Sequence, residues 1–254
     1  RRVPALALAK ELIAEGRLGT VRHVRAAYLQ DWLVDPDSPM TWRLNKETAG
    51  SGALGDIASH AIDQVLFLLG EQVTEVSGRL HTFTPRRPGA AGLEEVTVDD
   101  AAWATLTLAS GAIASVEVSR VATGRKNSLT LEIYGDKGAL LFDLEDLNEL
   151  GFLDATLPVR EQGFRRILVN EPGHPYLDAW WPQGHVLGWE HTFTHEIRDF
   201  LVAVGTGTPP SPSFEDGLNV QRILAAVEES AAAKSSLIQL TPSAPTTQTA
   251  TERA

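Results

Sequence analysis

The 254-residue chain contains no cysteine, which excludes disulfides and thiolate metal sites, although it does not by itself settle the compartment. Methionine occurs once, as Met40, and aromatic residues make up only 7%. No apolar run approaches the roughly 18–20 residues that a membrane-spanning helix needs, so no membrane partner is expected. Basic charge is in short supply: 22 Lys and Arg stand against 33 Asp and Glu, a formal net charge of -11. Such a chain repels phosphate backbones, so nucleic acid is not an expected partner. Lysine is scarce beside arginine and alanine is abundant, a composition typical of GC-rich bacteria. The start, Arg1-Arg2-Val3-Pro4, has neither Met nor an apolar signal core. It reads like the middle of a longer chain, with a cytoplasmic location expected.

What is present is an ordinary globular balance, 43% hydrophobic and 22% charged, at a length that fits one large domain or one domain plus an appendage. Pro4 to Glu15 reads as a helix, with proline in its first turn and Gly16 as its stop. Val21 to Trp32 reads as a strand, Asp35 to Thr48 as a polar loop, and Ala53 to Leu69 as a helix ended by Gly70. Strands are expected at 73–83, 101–108, 112–121, 129–134, 139–142 and 164–169. Their short Gly-containing turns favour antiparallel pairing over βαβ crossovers. Trp103 and the apolar residues of the central strands read as core. A long loop rich in Pro, Gly, His and Trp covers 171–188. Helices follow at 189–205 and 214–233, with a short last strand at 237–240. The fold class is therefore α+β: a large, mostly antiparallel open sheet with helices packed on one face. Residues 1–240 form the domain, and 241–254, rich in Thr, Pro, Ser and Ala, reads as a disordered tail.

Gly50-Ser51-Gly52-Ala53-Leu54-Gly55 matches the dinucleotide fingerprint letter for letter, but that fingerprint needs a buried parallel strand before it and a βαβ unit around it. Residues 42–49 do not form such a strand. The local alternatives are small residues that let a ligand approach free N–H groups at a helix start, or simply a flexible loop.

Asp56 and His60, four residues apart on the following helix, stack on one face. Oxidising an alcohol requires a base for the hydroxyl proton while hydride leaves the carbon. Histidine titrates in the right range, and a nearby carboxylate can orient it or hold the hydroxyl. From spacing alone, an ordinary polar pair on a solvated face is the commoner outcome.

From Gly50 to His60 the sequence resembles the substrate-domain signature of the glucose–fructose oxidoreductase/inositol dehydrogenase family, Gfo/Idh/MocA. The resemblance runs in order through Pro4-Ala5-Leu6, Gly16-Arg17-Leu18-Gly19, Tyr28-Leu29-Gln30-Asp31-Trp32, Trp42-Arg43, Val98-Asp99-Asp100-Ala101, Gly188-Trp189-Glu190-His191-Thr192-Phe193 and Phe214-Glu215-Asp216-Gly217-Leu218. Tyr28 to Trp32, Lys126-Asn127, His174-Pro175-Tyr176 and Trp180-Trp181-Pro182 look closest to its pyranose-oxidising, levoglucosan-dehydrogenase-like branch. The resemblance implies a substrate-binding and oligomerising domain that, in the full-length protein, partners a Rossmann domain carrying NAD or NADP, with residues 1–16 leading in from it. It implies a ring hydroxyl of a sugar or cyclitol as substrate, His60 as general base, Asp56 as its substrate-holding partner, and a homo-oligomer built through the open sheet face. The family's Glu-Lys-Pro motif and its strand–glycine loop–helix start do not occur here, so independent catalysis and a cofactor bound to this chain are not expected. A cofactor-free sugar-binding or assembly module, and an NAD-dependent glycosidase, are the alternatives.

Further candidates surround the pair. Tyr28, Gln30 and Trp32 alternate and would share one strand face, as a sugar-pocket wall or as sheet packing. Arg43 can bind hydroxyls or pair with a carboxylate, and Asn127 can reach the pocket or shape a turn. The family resemblance makes His191 and the loop residue His174 candidate substrate contacts. His191 and His195, four apart beside Glu196, lack the flanking residues of a metalloenzyme signature, and no metal site is assigned.

Overall fold

A computed structural model describes residues 1–241; of the expected tail, all but Thr241 lies outside the described residues. Helix α1 (Pro4–Ala14) begins on a proline whose missing N–H is needed by no helical bond, and the chain reverses at Gly16, φ 72°. Strand β1 (Val21–Leu29) follows. It ends three residues before the expected Trp32. Beyond Leu29 the chain leaves the regular ladder while still bonding across it, Gln30 N to Ser119 O at 2.8 Å. The short helix α2 (Lys46–Ala49) and a 3-10 turn at Trp42–Leu44 occupy the expected polar loop.

The expected helix at 53–69 is present with one change. Leu54–Ala58 form a π-turn, and the regular helix α3 runs Ser59–Leu69, closed by Gly70 in the left-handed region. Strands β2 (Val73–His81), β3 (Arg86–Gly89), β4 (Gly92–Glu95), β5 (Ala101–Leu108), β6 (Ile113–Ser119), β7 (Ser128–Gly135), β8 (Gly138–Asp143), β9 (Glu149–Asp154) and β10 (Arg165–Leu168) precede helices α4 (Trp189–Thr206) and α5 (Phe214–Ala232) and the two-residue strand β11 (Ile238–Gln239). The hairpin β3–β4 and strand β9 fall in segments to which the sequence pattern assigns no element.

Nine strands form one sheet in the order β10-β9-β8-β7-β1-β6-β5-β2-β11. All pairings are antiparallel except β1 with β6. One sheet face, carrying Val24, Ala26, Leu106, Val116, Val118 and Leu131, packs under α1, α3 and α5 to make the core. Helix α5 lies so close on β2 that a Cβ at Gly78 would meet Val227 Cγ1 at 2.6 Å. The opposite face is open and polar, with Arg25 paired to Glu132 at 3.0 Å. Trp103 belongs to that open face, 36% exposed, and not to the core. The period-2 alternation of β5 buries Ala102, Ala104 and Leu106 and turns Trp103 and Thr105 outward. Among the described residues no helix is long and apolar enough to cross a membrane.

Candidate active site

The lead-in to α3 is fastened from a distance. Asp99, just before β5, accepts Gly52 N on Oδ1 and Leu54 N on Oδ2, both at 2.8 Å, and its carbonyl accepts Ala53 N at 3.1 Å. The N–H groups that the sequence offered to a ligand are thus taken by the protein itself. Gly52 is glycine because a Cβ there would lie 1.8 Å from Asp99 O and 2.8 Å from Arg120 Nη2. The segment follows the short helix α2, not a buried strand. The fingerprint therefore marks close packing, and these residues do not fit a dinucleotide pyrophosphate. Burial pushes the Asp99 carboxyl up, against the pull of its two backbone donors and of Arg120.

Asp56 sits within the π-turn and His60 in the first turn of α3, both exposed. The wider turn moves Asp56 off the simple α-helical i,i+4 register expected from spacing. Its Oδ2 stands 3.7 Å from Arg120 Nη1. His60 meets the ring of Tyr28 edge-on, centroids 6.1 Å apart. Tyr28, at the buried end of β1, donates its hydroxyl to Asn127 Oδ1 at 2.7 Å, and Gln30 Nε2 donates to the same oxygen at 3.0 Å. Trp32 Nε1 then donates to Gln30 Oε1 at 2.9 Å. Burial, helped by the negative charge of Asp56, raises the Tyr28 phenol, so it stays a hydroxyl and a donor.

The Trp32 ring lies 5.5 Å from the Arg120 guanidinium carbon, within cation–π range, and the same guanidinium faces Asp56. His60, Tyr28, Asn127, Gln30, Trp32, Arg120 and Asp56 thus form a ring of side chains closed by the π-turn. Six of these residues were expected from the sequence, but Arg120 was not. A cleft of about 300 Å³ opens beside His60, with Tyr28, Gln64, Leu129, Trp189 and Thr192 among its walls; Asp56 lies outside it.

The remaining candidates have local partners. Arg43 is exposed and stacks on its neighbour Trp42, 4.4 Å from the ring centroid. Lys126 pairs with Asp31 at 2.6 Å while Asn127 enters the ring. His174 Nδ1 accepts Glu171 N at 3.1 Å, closing a turn. His191 Nδ1 accepts Gly188 N at 3.0 Å at the start of α4, with Trp180 edge-on at 4.5 Å. His195 is buried: Trp180 Nε1 donates to its Nε2 at 2.7 Å and its Nδ1 meets Arg2 O at 3.0 Å, which fixes the tautomer with the proton on Nδ1. Among the described residues no group of three or more His, Cys, Asp or Glu is arranged to hold a metal ion.

Comparison with known proteins matches the Gfo/Idh/MocA C-terminal domain to residues 6–141. Levoglucosan dehydrogenase of Pseudarthrobacter phenanthrenivorans is 41% identical over 250 residues, covering 92% of this chain and 64% of its own length. An oxidoreductase domain protein from Kribbella flavida superposes with a TM-score of 0.92 at 52% identity, covering 95% of this chain and 65% of that one. Levoglucosan dehydrogenase in complex with NADH and levoglucosan gives a TM-score of 0.90 at 42% identity, covering 95% and 64%. The chain spans just under two thirds of the length of these relatives.

Proposed function

Because the chain belongs to the Gfo/Idh/MocA family, as its C-terminal domain, we propose that residues 1–240 are the substrate-binding and oligomerising part of a nicotinamide-dependent dehydrogenase acting on a ring hydroxyl of a sugar or cyclitol. The observation that carries this is the ring of side chains joining Asp56 and His60 through Tyr28, Asn127, Gln30, Trp32 and Arg120. It combines an imidazole base, a carboxylate, amide and hydroxyl hydrogen-bonding groups and an exposed aromatic face, the set a pyranose demands. The solved relatives that hold NADH, one of them with levoglucosan, support a pyranose substrate and NAD(H) as the cofactor.

His60 takes the hydroxyl proton as the ring carbon becomes a carbonyl, and Asp56 accepts a hydrogen bond from the same or the neighbouring hydroxyl. Trp32 offers its face to ring C–H groups, and Gln30 and Asn127 bond the outer hydroxyls. A nicotinamide cofactor, when bound, supplies the hydride acceptor. The described glycine segment does not fit one, and in this reading residues 1–240 contribute the proton and sugar side of the reaction. The open sheet face, with Trp103 at its surface, serves as the contact between copies.

The test is reduction of NAD and NADP by the gene's complete product against a panel of pyranoses, anhydrosugars and cyclitols. His60→Ala is expected to lower kcat by about 100-fold or more, the usual worth of a general base. Full activity in that variant removes His60 from the role.

A further inference from the structure

Arg120 is one residue beyond β6 and only 1% exposed. A guanidinium that deep is costly unless its surroundings answer its charge. Its Nη2 donates to Asp99 O at 2.8 Å and its Nη1 faces Asp56 Oδ2 at 3.7 Å. The indole of Trp32 covers it at 5.5 Å. Its main chain is committed to the same neighbourhood: Arg120 N donates to Asp100 O at 2.9 Å, and Leu33 N, next to Trp32, donates to Arg120 O at 3.0 Å. Gly52 leaves the room for Nη2. Burial lowers the Arg120 pKa, opposed by Asp99, Asp56 and Asp100, while Arg87 adds to the lowering.

We infer that Arg120 is the positioning residue of this site: its buried guanidinium fixes the Asp56 carboxylate and the Trp32 indole relative to one another and so closes the ring of side chains around His60. The inference rests on the dehydrogenase reading for its functional meaning, but the geometry it asserts stands apart from any substrate. Asp56 and Trp32 arrive on different segments, a π-turn and the loop after β1. Arg120 touches both of them. A planar cation can present one edge to a carboxylate and one face to an indole at once. A lysine, a single compact ammonium, keeps the charge but cannot do both.

The experiment reads the Trp32 indole N–H resonance by heteronuclear NMR on the chain as it stands, assigned with Trp32→Phe. Asp56→Asn, a change at an exposed side chain that leaves the core alone, is expected to move the Trp32 cross-peak through Arg120. In Arg120→Lys the same Asp56→Asn change is expected to leave that cross-peak where the lysine placed it. An unmoved peak in the first comparison, or an equal movement in both, overturns the proposal. If Arg120→Lys does not fold, the first comparison still decides. Calorimetry with the sugar panel adds the functional readout. Arg120→Lys is expected to weaken binding about tenfold, the worth of one hydrogen bond to a charged group. Undiminished binding in that variant counts against the role. If the wild-type chain binds no sugar, the dehydrogenase reading falls, and the cross-peaks still judge Arg120.

Discussion

Tyr28 stands edge-on to His60, ring planes 69° apart, while its hydroxyl bonds Asn127 on the opposite side of the site. One residue therefore touches both the His60 ring and one end of the amide network. Tyr28→Phe keeps the ring and removes the bond. It is expected to cost about 1 kcal/mol of stability, measured by thermal unfolding, and to weaken sugar affinity in calorimetry. If both readings match wild type, the network does not hold His60 in place.

Gly52→Ala tests the packing account of the glycine motif. The added Cβ would fall on the backbone carbonyl of Asp99, 1.8 Å away, where neither partner can swing aside. The expected loss is about 1–3 kcal/mol, read as a melting temperature lower by roughly 3–10 °C. Gly50→Ala meets no neighbouring atom, and its penalty comes only from the positive φ of 79°. Equal losses at the two positions would refute steric contact as the reason for Gly52.

The contacts that His195 and Asp199 make on the inner side of α4 predict acid lability. Burial holds the His195 imidazole below the ordinary histidine range, against its bond to Arg2 O. At Asp199 burial acts upward, but the bonds from Arg198 and Tyr176 and the charge of Arg2 outweigh it and hold the carboxyl below the usual range. Both groups bind protons more readily in the unfolded chain, so each contributes stability that is full above its unfolded pKa and is lost as pH falls to its folded pKa. Thermal unfolding is expected to show a first loss as pH drops through and below the histidine range, and a second as it drops through and below the usual carboxylate range. His195→Gln should remove the first step. A flat profile across the histidine range in the wild type would contradict the buried neutral imidazole.

Trp103→Arg addresses the open sheet face. Trp103 lies opposite Arg79 on β2 and Glu117 on β6, with its indole turned out of the domain. A second positive charge there leaves the buried core alone and disfavours contact between copies of that face. Sedimentation velocity is expected to show a smaller assembly with an unchanged melting temperature at low concentration. An unaltered sedimentation profile would place the interface elsewhere.

The sheet, its antiparallel pairing and the helical layer were legible because strand alternation and Gly-bounded helices are local signals. That Asp56, His60, Tyr28, Gln30 and Trp32 would lie near one another was legible from their residue types and through the family resemblance. What spacing missed was tertiary. Nothing in Leu54-Gly55-Asp56-Ile57-Ala58 announces a π-turn, since the fastening comes from Asp99, more than forty residues on. Trp103 was misplaced because its size suggested core, although its position in the alternation pointed outward. Arg120 was readable by the same rule: it continues the inward series Ala114, Val116, Val118. An arginine on a buried register must be answered by partners, and that alone marks it for attention.

A π-turn is an α-helix that has accepted one residue too many. Deleting Ile57 or Ala58 would let α3 run as an uninterrupted α-helix through the turn. It would also rotate everything upstream by about 100° about the helix axis, carrying Asp56 away from Arg120. The shorter chain is thus set up to gain regularity in its helix while losing the arrangement around His60. At this turn, regular backbone and a carboxylate held against Arg120 are competing ends, and the sequence retains the irregular one.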